Sequence, residues 1–442
     1  MKSENVQMRN PLTWVPTLYF AEGLPLWIVL MLTSYLYKGM HVGNDQITRW
    51  TGIITVAWAI KPLWSPLLQI APSKKHMVVL FQAIGGVTLI LLAMSLHLSA
   101  YFYVSILLFG VLALVSATHD IAADGLYIAS LEGKLQTIYA GWQGGFYNAA
   151  KFIAVGPLVI LAGVMTDKIG LSVPVTWSVI FVALGIILLG LALYHVRALP
   201  DTRDTELKHN TLSETIGAFR EVSIDFFRKP GIWVSILFII LFRAGESQVT
   251  AIAQLFLLDA RSAGGLGLTT AETGALYGIA GTFAFIVGSI VGGYFAAWIG
   301  LRRAMLFLVL GMNLPNIAFF FLSTSMPEHY AIIAGAIFVE NFGFGFGFVG
   351  LVLYMMQVVS VGNYRTAHYA IATGFMALGQ TLFKAISGDI QVALGYQHFF
   401  LWVLISAIPV LLMSFWVVPK KLSAQTGSDD ESRGATETSA TA

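Results

Sequence analysis

The chain has no cysteine and very little charge. Of its 442 residues none is Cys, which excludes disulfides, thiolate metal sites and cysteine nucleophiles and says nothing about compartment. Charged residues are only 11%, against roughly a quarter in an ordinary soluble protein. Hydrophobic residues are 57% and mean hydropathy is +0.76, so the chain is expected to live in a bilayer. The 25 Lys and Arg nearly balance the 23 Asp and Glu, and a net charge of +2 leaves no basic field for nucleic acid. Neither GxxxxGK followed by Ser or Thr, nor HExxH, nor CxxC occurs. No nucleophile constellation or metal-ligand cluster stands out, so neither an enzyme nor a cofactor is expected.

What is present is a series of apolar runs. A spanning helix needs about 20 mostly apolar residues, and twelve segments qualify: spans 1 to 12 at 12–38, 46–71, 76–97, 101–130, 136–165, 173–197, 230–258, 270–298, 301–324, 328–358, 363–394 and 396–418. The first follows Lys2 and Arg9, is too long for a signal sequence and lacks a small-residue cleavage site, so it counts as a span. With the N terminus inside, seventeen Lys and Arg fall on the cytoplasmic side and four, Lys38, Arg49, Lys168 and Arg261, on the other. The positive-inside rule therefore places both termini in the cytoplasm. The spacing predicts an all-α membrane protein: a six-helix bundle at 1–197, a cytoplasmic linker at 198–229, a second six-helix bundle at 230–419 and a disordered tail at 420–442. Within the linker, Leu212, Ile216, Phe219, Val222 and Phe226 recur at helical spacing and predict an amphipathic helix, either a brace between halves or a tether.

Ionisable groups inside spans are costly and mark candidate function. Here they are Glu22, Lys61, Asp120, Asp124, Lys151, Arg243, Glu246, Glu340, Lys384 and Asp389, while spans 3, 6, 9 and 12 hold none in their interiors. This distribution predicts that two helices of every three face something polar and each third one faces lipid. Acids in spans 1 and 4 recur in 7 and 10, and Lys151 in span 5 recurs as Lys384 in span 11, 233 residues later. A parallel repeat of six spans with a binding site near midplane is expected.

Asp120 and Asp124 stand four apart on one face of span 4. Two close carboxyls in low dielectric resist joint ionisation, so the pair can couple protons or, with Lys151, form a structural network. Glu22 precedes Gly23-Leu24-Pro25, where the helix ladder opens toward a cavity, and Lys61 is expected to pair with Glu22 or a span 4 aspartate. Arg243 and Glu246, three apart, form either an internal pair or a clamp for a substrate carboxylate. Glu340 is a further candidate for proton coupling. Span 10 alternates Gly and Phe from Asn341 to Phe348, and Gly343 with Gly347 makes a GxxxG packing face. Trp142, Gln143, Tyr147, Asn148, Asn341 and Gln380, with the lysines and Arg243, provide stacking and hydrogen bonding for a sugar.

Twelve spans in two halves are similar to the major facilitator superfamily, and Gly293 to Arg303 (GYFAAWIGLRR) resembles its loop motif between spans 8 and 9, with Ala297 where that motif carries an acid. More narrowly, Phe20-Ala21-Glu22-Gly23-Leu24-Pro25, Lys61-Pro62-Leu63-Trp64-Ser65-Pro66-Leu67, Ser116 to Asp124, Ile286-Val287-Gly288 and Gly292-Gly293 resemble the AmpG-type anhydromuropeptide permeases. Glu22 and Gln69 depart from the residues of that family. The resemblance implies proton-driven import of GlcNAc-anhydroMurNAc, with or without its stem peptide, across the bacterial inner membrane. A monomer whose partners are protons, lipid and a saccharide is expected. The alternative is a transporter of a neutral oligosaccharide.

Overall fold

The computed structural model describes residues 9–64, 73–131, 134–201, 212–362 and 364–418. Residues 65–71 of the predicted span 2, residues 202–211 of the linker and the tail at 420–442 lie outside the described residues. All regular structure among the described residues is helical. Among the described residues, ten helices are long and apolar enough to cross a membrane. One of these, Ala367–Met413, breaks at Gly395, whose φ of +72° suits glycine, so spans 11 and 12 are read as its two arms. Span 2 appears as Asn44–Ile60, 17 residues followed by a short 3-10 turn at Lys61–Leu63.

Several spans are interrupted where the sequence removes a backbone donor. Pro25 lies inside Val15–Trp27, and the next residues, Ile28–Leu32, wind as a π-helix before Thr33–Gly39 resumes. Gly156 and Pro157 divide span 5 into Lys134–Val155 and Pro157–Gly163. Span 7 breaks into Ile232–Phe242 and Ala244–Leu258, with Arg243 at the break. The breaks in spans 1 and 7 each sit beside a charged residue of the same span or one turn from it.

Two compact units emerge. The first comprises Met1–Glu221, Gln254–Ile279 and Lys384–Asp389; the second comprises Val222–Ala253, Ala280–Phe383 and Ile390–Ala442. In the first, Trp14, Leu18, Tyr19, Val78, Ala123 and Leu126 build an apolar core. Spans 3 and 6 also bring polar groups inward: His195 Nδ1 meets Gln82 Oε1 at 2.8 Å and its Nε2 meets Thr17 Oγ1 at 2.9 Å. The alternation of polar and lipid-facing helices read from the charges is therefore incomplete. Spans 1 and 7 are the most buried, and span 9, which has no interior charge, is buried at least as well as spans 4 and 10. Neutral hydrogen-bonding residues turn a helix inward as charges do, and a count of charges misses them.

The second unit is held by glycine. Tyr330–Tyr354 forms one continuous helix through the Gly/Phe run, as the backbone's need for internal hydrogen bonds in lipid requires. A Cβ at Gly345 would lie 2.0 Å from the Phe285 carbonyl oxygen, and one at Gly347 would lie 2.4 Å from that of Leu308. Gly345 to Gly350 has the spacing of a dinucleotide fingerprint, yet it lies in mid-helix with glycines taken up by helix packing. Gly288 meets Phe342 equally closely, its Cβ position 2.0 Å from a carbonyl oxygen. Gly288→Ala is expected to destabilise the protein by about 1–3 kcal/mol, read as a lowered midpoint of thermal unfolding in detergent.

The linker helix is present at Leu212–Arg228. Its end docks within the second unit: Phe226 is fully buried and stacks on Phe375 at 6.3 Å, and Lys229 donates to the Val359 and Val361 carbonyls at 2.7 Å each. Partial burial draws the Lys229 ammonium below the usual lysine range, with Asp225 acting in the opposite sense.

Candidate functional site: buried charges

Three carboxyls and one lysine converge in the first unit. Glu22 comes from span 1 one turn before Pro25, Asp120 and Asp124 from Tyr101–Ser130, and Lys61 from the 3-10 turn Lys61–Leu63 that follows Asn44–Ile60. Lys61 Nζ pairs with Asp120 Oδ2 at 3.3 Å, and the Tyr19 hydroxyl donates to Asp124 Oδ1 at 3.0 Å. Glu22 and Asp120 are near enough to feel each other's charge. Glu22 and Asp120 are each 6% exposed, and Glu22 Oε2 and Asp120 Oδ1 have no partner among the described residues. Carboxyls gathered in a buried site resist joint ionisation, so this grouping is suited to holding a proton. Lys61 neutralises one acid of the three.

Around this cluster stands an aromatic wall. Lys151 lies 4.8 Å above the Trp27 ring, and Trp27 meets Tyr147 edge-on at 6.3 Å. Tyr147 is near enough to feel all three carboxyls. Gly23 lets spans 1 and 5 approach, since a Cβ there would be 2.9 Å from the Tyr147 carbonyl oxygen. Other residues expected here behave differently. Trp142 stacks on Phe146 at 6.0 Å and is half-exposed, Gln143 is half-buried, and the Asn148 amide donates to the Gly144 carbonyl of its own helix.

The second unit holds a separate charged centre. Arg243 Nε and Nη2 both reach Glu246 Oε2 at 2.9 Å, and Nη1 donates to Gln380 Oε1 at 3.0 Å. Thr250 Oγ1 donates to Glu246 Oε1 at 2.9 Å and Ser247 Oγ to Oε2 at 3.4 Å. Phe344 and Phe348 flank the guanidinium at 5.9 and 5.5 Å, a cation–π setting that the Gly/Phe run supplies. Glu340 is buried and accepts a 2.7 Å hydrogen bond from Asn341, whose amide also donates to the Ile337 carbonyl. Arg243 and Glu246 thus meet as their spacing suggested, and Gln380, Phe344 and Phe348 join them.

The first unit also has two charge pairs in which only Asp389 was among the mid-span charges. Lys38 pairs with Asp259 at 2.5 Å, and Asn44 bridges the two at 2.7 and 3.3 Å. Arg49 pairs with Asp389, and the Gly388 N–H donates to Thr48 Oγ1 at 3.0 Å. Lys38, Arg49 and Asp389 are visible in the sequence, the two bases being half of the four on the sparse side. Their partners lie about 220 and 340 residues away by the numbering, and such distant pairings leave no local pattern.

The profile described as Major Facilitator Superfamily matches residues 17–388. The chain belongs to that superfamily. It is a multi-pass membrane permease and not an enzyme. Relatives of this major facilitator chain include a protein named putative transporter AmpG 4 from Rickettsia conorii, 24% identical over 414 residues, covering 90% of this chain and 94% of the relative. The anhydromuropeptide permease of Escherichia coli strain K12 is 24% identical over 407 residues, covering 89% and 77%. Crystal structures with the same fold include the nucleoside transporter NupG, with TM-score 0.66 and 14% identity over 92% of this chain and 100% of that one. A bacterial homologue of the human lysosomal transporter Spinster, in an inward-facing and unoccupied conformation, gives TM-score 0.68 and 12% identity over 92% and 95%.

Proposed function

We propose that this chain is a proton-coupled symporter that imports GlcNAc-anhydroMurNAc, with or without its stem peptide, across the bacterial inner membrane by alternating access. The observation that carries it is the cluster of Glu22, Asp120 and Asp124 around a single lysine. Protonation there removes buried charge and changes the relative stability of two arrangements of the helices, which is the differential effect that coupling needs. The names of the relatives at 24% identity support the substrate. In this reading the chain works as a monomer of two six-helix halves, 1–197 and 230–419, with both termini cytoplasmic.

Asp120, Asp124, Glu22 and Glu340 carry coupling. Lys61 serves chiefly as the counterion of Asp120. Arg243, Lys151 and Lys384 meet the acidic groups of the substrate, and Trp27, Tyr147, Trp142, Gln143, Asn148, Asn341 and Gln380 offer stacking and hydrogen bonds to its sugar rings. Uptake of labelled GlcNAc-anhydroMurNAc by cells producing the chain tests the substrate. Saturable uptake, competed by unlabelled muropeptide and not by a neutral disaccharide, is expected. Uptake of the neutral sugar alone identifies an oligosaccharide transporter instead.

A further inference from the structure

Lys384 stands apart from the other buried cations. It is only 4% exposed, and among the described residues its ammonium makes one hydrogen bond, to the Leu30 carbonyl at 3.0 Å. No described carboxylate stands close enough to offset its charge. Lys61 and Arg243, by contrast, are each paired with an acid. A neutral donor would satisfy a carbonyl equally well, so a buried ammonium facing only a carbonyl lacks its counterion. The carbonyl itself belongs to the π-helical stretch Ile28–Leu32, where the regular hydrogen-bond ladder of span 1 is interrupted.

Three of the five residues that follow Lys384 dock on span 2. The backbone of Ala385 lies against Gly52, where a Cβ would stand 2.7 Å from the Ala385 Cα; Gly388 N–H donates to Thr48; Asp389 pairs with Arg49. Lys384 is the innermost tie of this strip, and it joins the strip to span 1.

We propose that Lys384 is an anion-operated latch: the carboxylate of an acidic substrate takes its ammonium from the Leu30 carbonyl and so loosens Lys384–Asp389 from spans 1 and 2. This inference rests on the acidic saccharide substrate proposed above. A charge-assisted bond to carboxylate is stronger than a bond to a neutral carbonyl. Because the Leu30 bond exists only in the docked arrangement, the exchange favours the undocked one, and ligand binding acquires a differential effect on the two. The anhydromuramyl lactyl group supplies such a carboxylate.

The absence of native cysteine gives a direct test. In the full-length chain carrying Arg49→Cys and Asp389→Cys, reconstituted in liposomes, the rate of disulfide cross-linking reports docking of the strip. GlcNAc-anhydroMurNAc is expected to slow cross-linking roughly tenfold, its carboxyl methyl ester is expected not to, and Lys384→Met is expected to abolish the response while Lys384→Arg keeps it. Gel filtration and a thermal melt confirm that each variant is folded. Equal responses to acid and ester, or an unchanged response in folded Lys384→Met, overturn the latch while leaving the transport reading intact. If the parent chain takes up neither compound, the muropeptide reading fails and the latch fails with it.

Discussion

Asn in place of Asp124 abolishes uphill accumulation of substrate in a proton gradient, while exchange of labelled for unlabelled substrate continues. The amide keeps the size of the carboxyl and an Oδ1 that still accepts from the Tyr19 hydroxyl, now at 3.0 Å. The edge-on contacts of Tyr19 and Trp14 with Tyr127 are then undisturbed. Only a proton site disappears. A pH difference of one unit sustains up to about tenfold accumulation for one proton per substrate, and the variant is expected to fall to an inside-to-outside ratio near one. Asp120→Asn is a less clean change, because it takes the counterion from Lys61 at 3.3 Å. The Lys61 side chain is 33% exposed, so the cost stays below the roughly 3–5 kcal/mol of breaking a fully buried pair. That variant is expected to lose accumulation and some thermal stability together. Full accumulation by Asp124→Asn contradicts a coupling role for Asp124.

Arg243→Ala is expected to lower stability by about 3–5 kcal/mol, because it leaves Glu246 buried and unneutralised. Glu246 is 1% exposed, and only the neutral donors Thr250 and Ser247 remain to it. Replacing both partners with apolar residues of similar volume, Arg243→Met with Glu246→Leu, removes the stranded charge and is expected to restore most of the stability. The freed hydroxyls of Ser247 and Thr250 can turn to the carbonyls one helical turn back. The restored fold separates two roles for Arg243. If the guanidinium between Phe344 and Phe348 also binds the substrate's acid, the double variant remains defective, with affinity lowered roughly tenfold to a hundredfold. Equilibrium binding alongside thermal melts measures both. Full binding in the stable double variant reduces the pair to an internal brace of span 7.

Much of the fold was legible because lipid imposes simple rules. The run Tyr101–Ser130 coincides with its predicted limits, and Val173–Ala198 differs by one residue, since an apolar segment bounded by polar loops has no other stable form in a bilayer. The break at Pro25 was also legible, from a residue that cannot donate, whereas the one at Pro157 emerged only with the structure. The break at Arg243 was not legible either: no proline marks it, and only the pairing of the guanidinium with Glu246 accounts for its place. At the site, spacing along one helix put Asp120 with Asp124 and Arg243 with Glu246. Contacts across helices were harder to read. Lys61 with Asp120 was anticipated as one of several pairings, whereas Tyr19 with Asp124, Lys384 with Leu30 and Lys38 with Asp259 depend on which faces meet. A backbone carbonyl in particular has no signature in sequence.

The central claim is that substrate and protons cross together. Purified protein in liposomes, with a pH-sensitive dye in the lumen and an acidic exterior, reads it directly when GlcNAc-anhydroMurNAc is added outside at graded concentration. The account predicts saturable, substrate-dependent acidification of the lumen, absent in Asp124→Asn. Substrate entering at the same rate with no change in luminal pH would contradict it.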